Sequence, residues 1–292
     1  MKRKVLLSIL VACILLMAGC GQTAKTLTVD EFKSIQGDTY DSYKKIAEKY
    51  GPYKMEYSEE YTESGEQIEA SVISDDNYLY VNSKSGLVYI YDGSDWYRKL
   101  PEDEATTFSK VIAFEDAEIG LYDYLDLVGY DFETDPEVEL TKTDSGYDYL
   151  AVYDDNDEAF GDCTIECKLH FNQDDSMKDC SIVYKNADGD IYKQECKYTY
   201  KQSMPDLVEN LKNELKASNG EERRVTYHYV ENGEVIKSFE GVVPKGFLCN
   251  AIFPDEYESE NNLLCIDKEL TIPVNLTPED AMMDIDVYMG KN

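Results

Sequence analysis

The chain has 292 residues and a formal net charge of −32, from 60 Asp and Glu against 28 Lys and Arg. That acidic excess repels phosphate backbones and anionic headgroups, which argues against nucleic acid as a partner. The 42% hydrophobic and 12% aromatic residues supply a core and set the chain apart from acidic disordered segments.

Lys2, Arg3 and Lys4 form a positive start, and Val5 to Met17 is apolar except for Ser8. At about 1.5 Å per residue this stretch is too short for a stable transmembrane helix and has the length and flanks of a signal peptide. Leu16-Met17-Ala18-Gly19-Cys20 follows, and it resembles a bacterial lipobox. The resemblance implies a signal peptide over 1–19 and a diacylglyceryl group on the Cys20 sulfur, carrying palmitate-class chains. It also implies an anchor on the extracellular face of the cell membrane, since two acyl chains hold where one would be marginal. Removing the three basic residues takes the charge from −32 to −35. Residues 20–27 read as a lipidated, flexible tether.

Thr28-Val29-Asp30-Glu31 is a capping box, and Phe32, Ile35, Tyr43, Ile46 and Tyr50 recur at helical spacing. Gly37 can break this helix, and Gly51-Pro52 ends it. From Tyr53 the period is two. Tyr53, Met55 and Tyr57 alternate with polar residues, as do Ile68, Ala70 and Val72. Residues 78–81 and 87–91 are short aromatic strands around a turn, and Asp92-Gly93 is a hairpin signal before Trp96-Tyr97. From Pro101 to Tyr130 the positions of Phe108, Val111, Ile112, Ile119, Tyr122, Leu125 and Val128 suggest one or two helices.

Strands resume with Tyr147, Tyr149, Ala151 and Tyr153, then Ile165 to Phe171, then Tyr192 to Tyr200. A second helix begins after Ser203, with Leu207, Val208, Leu211 and Leu215 on one face, and ends at Asn219-Gly220. Residues 203–220 read as a helical linker at a domain boundary; the alternative is a helix packed on the first sheet as its last element. Beyond it come Val225 to Val230, a turn at Glu231-Asn232-Gly233-Glu234, a strand to Val243, and strand-like stretches at 263–266 and 283–289.

Tyrosine outnumbers phenylalanine 25 to 9, which suits sheet faces that bury a ring and keep a hydroxyl wet. Beyond Cys20 there are six cysteines: Cys163, Cys167, Cys180, Cys196, Cys249 and Cys265. An even number in an exported chain suggests up to three disulfides. Cys180 and Cys196 flank the turn at 186–190 almost symmetrically and can face each other across a hairpin. Cys249 and Cys265 are the two in the C-terminal stretch. Cys163 and Cys167 remain, about 13 Å apart if on one strand. His170 follows them, but no paired C-x-x-C supports zinc, and no metal or cofactor is expected.

His170 and His228 each sit in an alternating strand pattern and read as outward or boundary positions. No G-x-S-x-G, H-E-x-x-H or Walker loop is present, so no catalytic residue is assigned and an enzyme is not expected. Asp154 to Glu158 and Asn186 to Asp190 lack the glycine or glutamate of a calcium loop and read as solvated turns.

Two further resemblances organise the chain. The lipobox, helix, meander, helical insertion and returning strands, with Tyr89-Ile90-Tyr91-Asp92-Gly93 before Trp96-Tyr97 and Leu169-His170-Phe171-Asn172 before an acidic turn, resemble LolA/LppX-type lipoproteins over 28–202. That implies a mainly β (α+β) fold, an antiparallel curved sheet or half-barrel with helices on one face, around a cavity for lipid. Val225 to Tyr229, Val243-Pro244-Lys245-Gly246, Asp267 to Pro273 and Asp284 to Tyr288 resemble a divergent Listeria–Bacteroides repeat over 221–292. That implies a small β-grasp-like domain. Leu263-Leu264-Cys265-Ile266 stands where the family has an aromatic segment, and a Cys249–Cys265 bridge could replace that packing.

The expected function is therefore a membrane-anchored extracellular lipoprotein holding a lipid or other apolar or amphipathic ligand. The alternative is a surface interaction or adhesion protein docking on a wall polymer, a glycan or an envelope protein.

Overall fold

The computed structural model describes residues 25–27, 43–100, 108–114, 138–143, 145–157, 160–254, 257, 263–274 and 280–290. The signal segment, Cys20, residues 28–42 and most of the expected helical insertion lie outside them. The described chain is mainly β and mostly antiparallel. Packing divides it into two units. Unit 1 combines 1–38, 58–67 and 130–198, and unit 2 combines 39–57, 68–129 and 199–292.

Unit 1 is built on β1 (Lys25–Leu27), β8 (Val138–Thr143), β9 (Gly146–Asp157), β10 (Gly161–Asn172), β11 (Met177–Asn186) and β12 (Gly189–Tyr200), neighbours in that order. The end of the expected flexible tether is thus a strand: Lys25, Thr26 and Leu27 pair antiparallel with Leu140, Glu139 and Val138. An edge partner needs only backbone groups, so side-chain patterning gave no sign of it. In the β9–β10–β11–β12 meander, β10 and β12 follow the alternation read from sequence, because each buries every second residue along most of its length. Gly146 turns β8 into β9 at φ +149 and lies against the backbone of Phe171 and Asn172.

Unit 2 contains α1 (Tyr43–Tyr50) and the series β2 (Tyr53–Tyr61), β3 (Glu66–Ser74), β4 (Leu79–Ser83), β5 (Val88–Tyr91), β6 (Trp96–Lys99) and β7 (Ser109–Ala113), with the outer part of β2 assigned to unit 1. The Asp92-Gly93 hairpin forms as expected: the Asp92 carboxylate accepts from the Ser94 and Asp95 amides, and Gly93 takes φ +96. Phe108, Val111 and Ile112 were expected on a helix. They lie instead at or within β7, which pairs with β6 on one side and, in parallel, with β15 (Leu248–Ile252) on the other. Two adjacent β-branched residues between two strand partners favour the extended form.

The rest of unit 2 is α2 (Asp206–Ala217) and a second sheet, in the order β14 (Glu234–Pro244), β13 (Glu222–Glu231), β17 (Ile285–Gly290), β16 (Leu263–Cys265). β13 and β14 form the expected hairpin, and β13 pairs in parallel with β17. Asp267 shapes the loop after β16: its carboxylate accepts from the Thr271 hydroxyl at 2.6 Å and the Ile272 amide at 2.6 Å. These bonds hold its carboxyl below the usual range.

One core joins three parts of unit 2. Val88, Ile90 and Tyr97 from the first series, Val208 and Leu211 from α2, and Val225, Tyr227, Phe239, Val287 and Met289 from the second sheet are buried together. Residues of α2 and of the second sheet thus share a core with Val88, Ile90, Tyr97, Phe108 and Phe114. Phe114, Phe239 and Phe253 fill its centre, with ring centroids 4.6–5.8 Å apart.

Candidate functional site

Unit 1 presents one broad apolar face. It consists of Tyr149 and Ala151 on β9, then Cys163, Ile165, Cys167, Leu169 and Phe171 on β10. Met177, Cys180 and Ile182 on β11 continue it, and Tyr192, Cys196 and Tyr198 on β12 complete it, all buried. The opposite face is charged. Glu166 accepts from Lys168 at 2.6 Å and Lys185 at 3.3 Å, first of all the Lys168 hydrogen bond holding its carboxyl low. His170 meets Asp179 there, and Thr164 donates to Asp154 at 2.8 Å.

The structure brings Cys180 and Cys196 together as direct register partners, and burial, with Cys180 beside it, raises the Cys196 thiol well above its ordinary range. Cys167 lies close by, with burial pushing its thiol up to about 12. Cys163 and Cys167 share one strand and one face, four residues apart. The structure does not bring Cys249 and Cys265 together. Cys249 lies on β15 beside β7 and packs against the main core of unit 2. Cys265 lies on β16, pairs with Tyr288, and sits with Val230 and Leu270 in a separate cluster. Tyr288 follows Val287 of the main core on one strand, so Cys265 faces away from the core that Cys249 packs against. All six are thiols in this structure.

His228 lies on the outward face of the second sheet. Its Nδ1 is 2.8 Å from Ser238 Oγ, its Nε2 is 3.0 Å from Asp286, and its ring stacks on Tyr288. The three residues sit on the neighbouring strands β14, β13 and β17 and form a cross-strand network.

Sequence reasoning missed a pocket of about 610 Å³ at the C-terminal end of α2. Ala217, Phe247 and Met282 give it apolar surface, and Glu214, Glu221 and Lys245 give it charge. Glu221 pairs with Lys245 at 2.8 Å, and that hydrogen bond holds its carboxyl low. Glu214 is pushed the other way by burial, although it accepts from the Phe108 amide at 3.3 Å.

Near this pocket Arg223 is only 2% exposed. Its Nη2 donates to the Phe247 carbonyl at 2.8 Å, its Nη1 reaches the Met283 carbonyl at 3.5 Å, and its Nε has no partner among the described residues. Burial lowers its pKa. Its inward position was legible, since Arg223 is in phase with Val225, Tyr227 and Tyr229. The pocket joins a helix end to two turns distant in sequence and left no sequence signal.

Glu214 makes a pH prediction. A carboxyl whose folded pKa is raised favours the protonated folded state. Its contribution is complete below the ordinary carboxylate range and is lost as pH rises through the raised value. Glu214→Gln keeps an acceptor for the Phe108 amide and removes the charge. The variant is expected to be more stable than the parent at pH 7, with the advantage gone below about pH 4. Urea midpoints across that range read the effect, and an equal shift at every pH would refute it.

Among the described residues no group of three or more His, Cys, Asp or Glu is placed to hold a metal, and no helix is long and apolar enough to cross a membrane. No family model matches the chain, and no curated protein matches it. A solved structure of a DUF1329 family protein from Desulfovibrio piger is similar at 9% identity and a TM-score of 0.26, over 60% of this chain and 95% of that one.

Proposed function

We propose that this protein is an exported lipoprotein, anchored through Cys20 to the extracellular face of the cell membrane, that holds an apolar or amphipathic molecule. The observation that carries the reading is the apolar face of unit 1, which crosses four neighbouring strands with the buried Gln194 set in it and is backed by a charged face. Four of its side chains are cysteines, small and polarisable, which suit contact with an acyl chain. The half-barrel with helices on one face, read from the LolA/LppX resemblance, is part of this proposal, and the ligand would share its interior. Native mass spectra of the chain from Gly21 onward test it. An added mass that disappears on denaturation and extracts as a lipid is expected. A bare protein mass at every step of purification would count against it.

A second reading has its own observation. Val235, Ile236, Val242, Leu264, Ile266, Ile272, Met282 and Met283 are large, apolar and exposed, and all belong to the C-terminal part of unit 2. Their number favours docking of this part on a wall polymer, a glycan or an envelope protein. The order β14-β13-β17-β16, with a central parallel pair, supports treating it as a β-grasp-like module. Ile236→Asp and Ile272→Asp are expected to weaken binding to purified cell envelope at least tenfold while leaving the melting temperature unchanged. Unaltered binding would remove this reading.

A further inference from the structure

We infer that Cys180 and Cys196 are joined by a disulfide in the exported protein, while Cys163, Cys167, Cys249 and Cys265 stay thiols. The inference rests on the export reading for an oxidising surroundings; its selectivity rests on geometry alone.

Cys180 and Cys196 are Cα register partners on adjacent antiparallel strands. Directly opposed residues there have Cα atoms about 4.5–5.5 Å apart, within disulfide reach of about 4.4–6.8 Å. Both side chains are buried, and as direct register partners they point to the same face of the sheet.

The other pairings fail on distance or direction. The register partner of Cys180 on β10 is Leu169, so Cys167 is its diagonal neighbour. Diagonal neighbours lie about 7–8 Å apart, outside that reach. Cys163 and Cys167 are about 13 Å apart along one extended strand. Cys249 on β15 packs against the main core of unit 2, whereas Cys265 on β16 faces a separate cluster on the other side of the second sheet.

The chemistry balances with one co-reactant, a protein-bound or low-molecular-weight disulfide. While the chain is folding and this face is still open to solvent, a Cys180 or Cys196 thiolate attacks it and releases one thiol. The second cysteine then attacks the mixed disulfide and releases the other. The two protein thiols lose two electrons and two protons, one S–S bond forms, and the oxidant leaves as two thiols. Cys167 beside the bond is a spectator. Burial keeps it protonated, and a thiol is a poor nucleophile, so it does not reopen the bond.

The test uses the full-length chain expressed with export in a bacterium, its free thiols blocked with iodoacetamide in denaturant without reductant, then cut with trypsin. Lys178, Lys185, Lys193 and Lys197 isolate Cys180 in residues 179–185 and Cys196 in residues 194–197, whereas Cys163 and Cys167 share residues 143–168. The expected result is a linked 179–185/194–197 pair that gains two hydrogens on reduction, with the other four cysteines alkylated. Cys167→Ser is expected to leave the link intact. A link from 143–168 to either peptide overturns the inference. So does alkylation of all six cysteines both in cells and after refolding the purified, reduced and denatured protein in oxidised glutathione. A link made by glutathione but absent in cells overturns the bond as a feature of the cellular protein and locates the failure in the export reading.

Discussion

Leu211→Ala is expected to lower the stability of unit 2 by about 3 kcal/mol, the usual cost of a leucine truncated in a packed core. Leu211 is 0% exposed and lies on α2 among Val88, Ile90, Val225 and Phe239. The informative part is where the loss is seen. The single tryptophan, Trp96, is on β6, more than a hundred residues earlier. If α2, the first strand series and the second sheet share one core, the Trp96 fluorescence transition moves to lower urea with Leu211→Ala. A linker helix between independent domains would leave that transition where it was. The same core bears on any truncation. Removing 221–292 takes Val225, Tyr227, Phe239, Val287 and Met289 away from Val88 and Ile90. The truncated chain is expected to lose the Trp96 transition altogether, so envelope binding is better tested by surface substitutions.

Gly146→Ala is expected to cost about 3 kcal/mol or more in unit 1, from strain at a disfavoured φ added to a backbone clash. A Cβ at Gly146 would stand 1.9 Å from the Phe171 carbonyl oxygen and 2.8 Å from the Asn172 carbonyl carbon. Both belong to β10, whose ladder with β9 and β11 prevents it from yielding. Gly161→Ala is the control. Gly161 also has positive φ, at +69, but a Cβ there meets nothing within 4 Å, so about 1 kcal/mol is expected. Thermal melts followed by far-ultraviolet circular dichroism compare the two. Equal losses would show that the close approach at Phe171 is not what constrains residue 146.

The sequence by itself determined the strands and turns whose causes are local. Alternation in Tyr53–Tyr57, Ile165–Phe171 and Tyr192–Tyr200 put one face of each strand inward, because the side-chain period of a strand is two. Asp92-Gly93 and Asn232-Gly233 made hairpins because their residues accept positive φ or bond to nearby amides. The Cys180–Cys196 juxtaposition was legible for the same reason: a hairpin fixes register from its turn outward.

Tertiary structure decided whatever depended on distant partners. Ser109–Ala113 reads as helix until β6 and β15 supply hydrogen bonds on both sides, and β15 lies more than a hundred residues away in sequence. The apolar stripe of α2 announced burial but not the surface that would bury it. Cys249 and Cys265 looked like a pair because they are the two cysteines of the C-terminal stretch, yet β15 joins β7 in one sheet and β16 joins β17 in the other, and the two residues pack in different clusters. Arg223, Glu214 and the pocket near α2 belong to the same group: each exists because a helix end, a strand start and two turns meet in space. Local pattern fixes which way a side chain points, and only packing fixes what it meets.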